Sequence, residues 1–274
     1  MTTDDHPHTA FGGNITRFTG FADTYDDYRP QPPAVVPEIL TALAGMERPA
    51  LVVDLGSGTG LSTRIWAGKA TDVVGIEPSD DMRHMAESRT RRGHIRFLHG
   101  FSHATGLAAG SADIVTCCQA LHWMEPGPTF REIARILRLG GVFAACDCDW
   151  PPLTERWEAD AAYREVSHNV DALTKRLGLD QEVRRWAKSG HLSRITESGC
   201  FRFAKEIAVH QVEPGGAERY AGLLLSQGSV ETLLKRGLSE DEIGLTAFRA
   251  TVTRLFGDRT LPFYFTYRVR IGIR

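Results

Sequence analysis

The stretch DLGSGTG at residues 54–60 places glycine at every second position, Gly56, Gly58 and Gly60, directly after an apolar run. Glycine removes the side chain where backbone must turn sharply and approach a ligand closely. If a helix starts near Leu61, the unsatisfied N–H groups of its first turn face the same crevice. A second apolar run, VVGI, ends in Glu77, where a carboxylate at a neighbouring strand end can accept hydrogen bonds from a ribose diol. A glycine turn with an acid one strand over suits a cofactor that contains adenosine. The dinucleotide pattern G-x-G-x-x-G is imperfect here, because the third glycine comes one place early and Ser62 stands where glycine or alanine is expected.

His122 and Trp123 follow the fourth apolar run, at the strand edge where open α/β sheets bind ligands. A histidine poised near neutral pH can take a proton from an acceptor hydroxyl or hydrogen-bond an acceptor carboxylate. His122 is therefore the candidate catalytic group, with Trp123, Tyr28 and His103 as candidates to line the acceptor site. Tyr25, Tyr28 and Arg29 either staple a helix to the core or wall the cofactor, Arg29 then pairing a carboxylate with its two-pronged guanidinium. Cys146, Asp147, Cys148 and Asp149 alternate along a strand and so point to opposite faces, which leaves no convergent set of four for a metal. No metal is expected.

These residues need a sheet to hold them. ALVVDLGSGTG followed by LSTRIWAG reads as strand, turn and helix, and VVGIEPS repeats the plan, with Ser79 able to cap the helix that carries Met82. Strands are expected over 94–100, 112–119 and 142–148, with helices over 34–44 and 130–138 and a stop at Gly140-Gly141. Strands alternating with helices require crossover connections, hence a doubly wound, mostly parallel α/β sheet. After Trp150-Pro151-Pro152 the alternation breaks. Residues 153–198 read as helical, with spaced apolar positions at Trp157, Tyr163, Val166 and Leu173. Strand character returns over 201–212, two or three helices follow over 217–256, and 263–273 alternates with period two. The expected organisation is a lead-in (1–20), a core (21–150), a helical cap (151–200) and the last two strands with a further helical insertion (201–274).

Lys+Arg at 32 against Asp+Glu at 34 leaves a net charge of -2, no field for a polyanion, so nucleic acid is not an expected partner. The run Arg89-Thr90-Arg91-Arg92 falls where cations favour a helix end. The five cysteines lack disulfide parity and zinc spacing, which points to reduced thiols. No apolar run reaches the roughly 20 residues of a membrane span, and the polar start MTTDDHPHTA is unlike a signal segment. A cytoplasmic monomer or homodimer without a membrane partner is the expectation.

The D-L-G-S-G-T-G form resembles the first motif of the class I S-adenosylmethionine-dependent methyltransferases. FTGFADTYDDYRPQPP (18–33) resembles the aromatic-rich N-terminal signature of the small-molecule members, in which this segment closes over the cofactor. SADIVTCCQALHWMEP (111–126) resembles the fourth-strand motif in the Q-A-x-H-W form of the "type 11", trans-aconitate methyltransferase-like group, and ILRLGGVFA (136–144) resembles the post-helix motif, with Leu139 in place of proline. The resemblance covers residues 18–150 and implies a Rossmann-like seven-stranded fold, S-adenosylmethionine as cofactor and a small-molecule acceptor.

It further implies that Asp54 and the Gly56-Ser57-Gly58 backbone hold the methionine part and that Glu77 holds the ribose. Pro78 and Met82 would flank adenine, and Gln119 and Ala120 would lie beside the methionine end. Relatives commonly carry an acid after the third strand; this chain has Gly100-Phe101-Ser102-His103, which leaves adenine to Phe101 packing, Ser102 and backbone groups. Methyl transfer to a carboxylate or hydroxyl oxygen is the reading, with the helices at 153–198 and 217–256 as a lid. The alternatives are transfer to nitrogen or carbon, an NAD(P)-dependent oxidoreductase, and a non-catalytic nucleotide-binding regulator.

Overall fold

LVVDL, DVVGI and ADIVTCC are apolar almost throughout, the pattern of strands buried on both faces. In the computed structural model, which describes Gly20 and residues 22–274, they form the centre of a seven-stranded sheet. The lead-in expected over 1–20, except Gly20, and Phe18, Thr19 and Phe21 of the N-terminal signature lie outside the described residues. The strands are β1 (Leu51–Leu55), β2 (Asp72–Ile76), β3 (Ile95–Leu98), β4 (Ala112–Cys118), β5 (Leu137–Cys148), β6 (Phe203–Gly215) and β7 (Leu261–Ile273). Their order is β3-β2-β1-β4-β5-β7-β6; β1 to β5 pair in parallel, and β7 runs antiparallel to β5.

Contacts divide the chain into two units. The sheet unit comprises Pro30–Asp149, Arg185–His210 and Thr266–Arg274. It contains the helices α2 (Val35–Leu43), α3 (Leu61–Arg64), α4 (Asp80–Arg89), α5 (Pro126–Ile136) and α7 (His191–Glu197). Ser79 caps α4, its Oγ accepting from the Met82 amide, with Asp80 and Asp81 in the first turn and Arg89 in the last, each matched to the helix dipole. Val53, Val115, Phe130, Ile133 and Phe143 are buried together in this unit's core.

The helical unit runs up to Arg29 and includes Trp150–Arg184 and Gln211–Phe265. It holds α1 (Ala22–Tyr28), α6 (Trp157–Arg176), α8 (Ala217–Leu225), α9 (Gly228–Lys235), α10 (Glu240–Ile243) and α11 (Leu245–Phe256). Tyr220 stands at its centre, with ring centroids of Tyr163, Phe248, Phe256 and Phe263 at 5.4–6.1 Å. Its hydroxyl donates to buried Asp160 at 2.9 Å.

Several boundaries differ from the sequence reading for local reasons. The helix after the glycine turn is one turn long, Leu61–Arg64, so its dipole is small. β5 starts at Leu137, directly after α5, and runs through both glycines; a Cβ on Gly141 would lie 3.0 Å from the Asp113 carbonyl oxygen, so close approach of β4 explains that glycine. Trp157, expected on an apolar face, is 70% exposed. Residues 185–200, expected in the cap, group with the sheet because the Trp186 amide donates to the His122 carbonyl at 2.9 Å and Lys188 pairs with Asp147. The stretch 217–256 contains four helices among the described residues, not two or three.

Candidate functional site

The glycine turn leaves β1 with Gly56, Gly58 and Gly60 all at positive φ, 65°, 53° and 84°, a conformation that side-chain-bearing residues rarely adopt. A Cβ on Gly56 would lie 2.6 Å from Ala120 Cβ, so the turn lies directly against the chain leaving β4. A Cβ on Gly58 would meet nothing within 4 Å. The side open at Gly58 is the space a ligand can fill.

Glu77 follows β2 and is only 8% exposed. Its Oε2 accepts from the Gly58 amide at 2.9 Å and its Oε1 from the Ser79 amide at 2.9 Å. The carboxylate and the glycine turn are thus one structure, and each oxygen retains acceptor capacity for a hydroxyl donor. Burial raises the Glu77 acid to about 7, against the opposing pull of the two amides and of Arg83. Pro78 is half-buried and Met82 buried on α4, the two positions expected to flank adenine.

Asp54 is engaged from three sides by hydroxyls. It is fully buried; Oδ2 accepts from Ser62 Oγ (2.6 Å) and Thr63 Oγ1 (2.7 Å), and Oδ1 from Thr116 Oγ1 (2.8 Å). Burial raises its pKa, and the three hydroxyls oppose the rise. Asp54 ties β1, the start of α3 and β4 together, which is why Ser62 stands where a dinucleotide fold has glycine or alanine. The Ser57 side chain is buried and lies over Gly75, where a Cβ would be 2.7 Å from Ser57 Oγ.

In the segment after β3, the Phe101 ring lies between His99 (5.8 Å) and His103 (5.6 Å), and Ser102 Oγ shares a 2.8 Å hydrogen bond with Thr129 Oγ1 on α5. The Ser102 hydroxyl expected to meet adenine is thereby tied to a helix. Tyr25, Tyr28 and Arg29 are held within the helical unit. The Arg29 guanidinium stacks between Tyr25 and Trp150 (4.9 and 4.7 Å) and donates to Ser226 Oγ, the Ser226 carbonyl and Gln227 Oε1, taking hydroxyl and carbonyl partners where a carboxylate was expected. Tyr28 fits over Gly222, where a Cβ would lie 2.1 Å from its ring.

His122 is 5% exposed in the short turn Leu121–Trp123, its ring 4.7 Å from that of Trp123. Trp123 in turn carries the Arg185 guanidinium at 5.4 Å. His122 Nδ1 lies 3.9 Å from Asp147 Oδ1, and His191 Nε2 lies 3.8 Å from Asp147 Oδ2. Among the described residues these three groups converge within 4.8 Å, but their donors do not suit a cation. Asp147 already pairs with Lys188 (2.9 Å) and Arg270 (2.6 Å). Arg194, which can only donate, lies 2.9 Å from His191 Nδ1, so the neutral ring carries its proton on Nε2. Burial lowers His191 to about 4 and keeps it neutral. Asp147 was considered in the sequence only among cysteines; His191, Lys188 and Arg270 carried no motif.

The strand order sets this fold apart from the dinucleotide-binding order 3-2-1-4-5-6, because an antiparallel β7 enters between β5 and β6. Fold and site together define a Rossmann-like α/β protein whose glycine turn, open at Gly58, is joined to the buried Glu77 carboxylate. Residues 53–145 match the family model described as a methyltransferase domain. A Saccharomyces cerevisiae protein named as an S-adenosylmethionine-dependent methyltransferase is 29% identical over 163 residues, 57% of this chain and 55% of that protein. The malonyl-[acyl-carrier protein] O-methyltransferase of Pseudescherichia vulneris is 28% identical over 126 residues, 44% of this chain and 49% of the other. A structure from Anaeromyxobacter dehalogenans named as a type II methyltransferase superposes with a TM-score of 0.63 at 21% identity, covering 90% of this chain and 98% of that one, a likeness of fold. Residues 53–145 thus carry the likeness to a methyltransferase domain, shared with a relative named as S-adenosylmethionine-dependent. The chain spans about half the length of the curated relatives it matches.

Proposed function

We propose that the protein transfers a methyl group from S-adenosylmethionine to an oxygen, carboxylate or hydroxyl, of a small-molecule acceptor. The observation that carries the reading is the joining of the Gly58 amide to buried Glu77 in a turn that is open at Gly58. When bound, the cofactor supplies an already activated methyl group. In this reading Glu77 accepts from the ribose hydroxyls, Gly56, Ser57 and Gly58 offer backbone, Pro78, Met82 and Phe101 provide apolar surface, and Gln119 and Ala120 adjoin the methionine end. Trp123 and His103 lie toward the acceptor in the same proposal.

His122 accepts a proton from an acceptor hydroxyl at Nε2, because its Nδ1 faces the Asp147 carboxylate. A carboxylate acceptor needs no such step. The choice of oxygen rests on the Q-A-L-H-W resemblance and on the likeness to a protein named as an O-methyltransferase. A small acceptor accords with the balanced charge of the whole chain. Calorimetric titration with S-adenosylmethionine tests the cofactor, and absence of binding sinks the reading. Transfer of isotope-labelled methyl into small-molecule extracts tests the acceptor class. The variant His122→Ala should lower turnover by about two orders of magnitude while cofactor affinity stays near wild type; undiminished turnover removes His122 from the chemistry.

A further inference from the structure

The side chain of Gln119 is held in a way that the methyltransferase motif does not account for. Gln119 directly follows β4 with φ of 54°, the left-handed region, and is the one non-glycine residue at positive φ among the described residues. Such a backbone is strained and persists where its surroundings hold it. Two contacts do so. The Gln119 amide donates to the Cys146 carbonyl at 2.8 Å, and Lys188 Nζ donates to Gln119 Oε1 at 2.6 Å, reaching it from 69 residues along the chain.

Lys188 is itself anchored. Its ammonium pairs with Asp147 Oδ1 at 2.9 Å, and Asp147, 3% exposed, is fixed on its other oxygen by Arg270 at 2.6 Å. Arg270 is tied in turn to Glu206 at 2.7 Å. The chain of contacts Glu206–Arg270–Asp147–Lys188 thus ends on the Gln119 oxygen.

An ammonium group donates and cannot accept. The contact therefore decides which way the planar Gln119 amide faces: oxygen toward Lys188, nitrogen away. The next residue, Ala120, is the one against which a Cβ on Gly56 would collide, so the chain at Gln119 adjoins the glycine turn. A fixed N–H donor in that position suits an anionic oxygen. Resting on the methyltransferase reading, we infer that Lys188 is a positioning residue, which orients Gln119 so that its amide nitrogen donates to the carboxylate at the amino-acid end of the bound cofactor.

Gln119→Glu separates this from a packing role. The variant is isosteric and still offers an oxygen to Lys188, but it replaces the N–H donor with a second, anionic oxygen. Two probes read the result by calorimetry: S-adenosylhomocysteine, which has the amino-acid carboxylate, and 5'-methylthioadenosine, which has the same nucleoside without it. The expected outcome is an unchanged melting temperature, a loss of roughly tenfold or more in affinity for S-adenosylhomocysteine, and wild-type affinity for 5'-methylthioadenosine. Lys188→Met should show a smaller loss on the first probe alone, and Lys188→Arg, also donor-only, should restore it. Wild-type affinity of Gln119→Glu for S-adenosylhomocysteine overturns the inference, as does an equal loss on both probes. If the unmodified protein binds neither probe, the methyltransferase reading falls and takes this inference with it; if it binds both, failure of the variant pattern overturns the Lys188 role alone.

Discussion

Glu77 is asked to do two things that respond oppositely to pH. In the unfolded chain its acid titrates near its ordinary value of 4.5, whereas burial holds it to about 7 in the folded one. Between those values the folded state binds the extra proton, so the ligand-free protein loses stability as pH rises through the window, by up to about 3 kcal/mol from this group. Ligand binding has the other sign, since a carboxylate is the better acceptor for ribose hydroxyls. Affinity for S-adenosylhomocysteine should rise from pH 6 to pH 8, by at most about tenfold per pH unit below 7, and Glu77→Gln should weaken binding and flatten the dependence. A flat profile in the unmodified protein would take the ribose away from Glu77. The glycines can be sorted at the same scale. Gly56→Ala drives a Cβ to 2.6 Å from Ala120 and should lower the melting temperature, while Gly58→Val enters open space and should abolish cofactor binding at a smaller stability cost. Unchanged ligand affinity in the valine variant would show that the ligand does not lie on this loop.

Elements meet at Asp54. One carboxylate on β1 receives hydroxyls from α3 and from β4, and all four groups are buried. Asp54→Ala strands three hydroxyls without their acceptor, each costing about 1–3 kcal/mol, and should destabilise the protein by several kcal/mol in urea unfolding. Thr116→Val should cost much less, because the other two donors still satisfy the carboxylate. Equal effects from the two variants would mean that Asp54 acts through something other than this knot. Because α3 is only one turn long, the knot, rather than a helix dipole, orients the glycine turn.

At the scale of the whole molecule, the helical unit is assembled from three separate stretches of chain around Tyr220. Burial and the neighbouring Asp160 push the Tyr220 hydroxyl well above its ordinary value of 10, which keeps it a neutral donor. Tyr220→Phe leaves the aromatic packing intact and removes a donor from Asp160, whose remaining partner is Thr154. The expected cost is about 1–3 kcal/mol, seen in hydrogen exchange as faster exchange within α6, α8 and α11 and unchanged protection in β1, β4 and β5. Uniform acceleration across both units would mean that the chain opens as one. Among the described residues no helix is long and apolar enough to cross a membrane.

Local pattern carried much of this protein. Apolar runs with both faces buried, glycines where φ must be positive, Ser79 ahead of α4 and an acid at the end of β2 each announce a backbone state within a few residues, because propensity, capping and burial act over that range. The parallel strands and the partnership of glycine turn and Glu77 were legible on that account. Residues whose role depends on a partner far along the chain were not. The hydroxyl that Asp54 receives from Thr116, 62 residues away, leaves no trace beside it. Ser102 and Arg29 have partners 27 and 197 residues away, Thr129 and Ser226, that leave no trace beside them in the sequence. Lys188 and His191 sat in a stretch expected to be a helical cap, and only folding brings them to Asp147. The amino-acid sequence by itself determined the order of elements and the chemistry of the turn; tertiary structure alone decided which polar groups meet, since hydrogen bonds reward proximity in space and the sequence records only proximity along the chain.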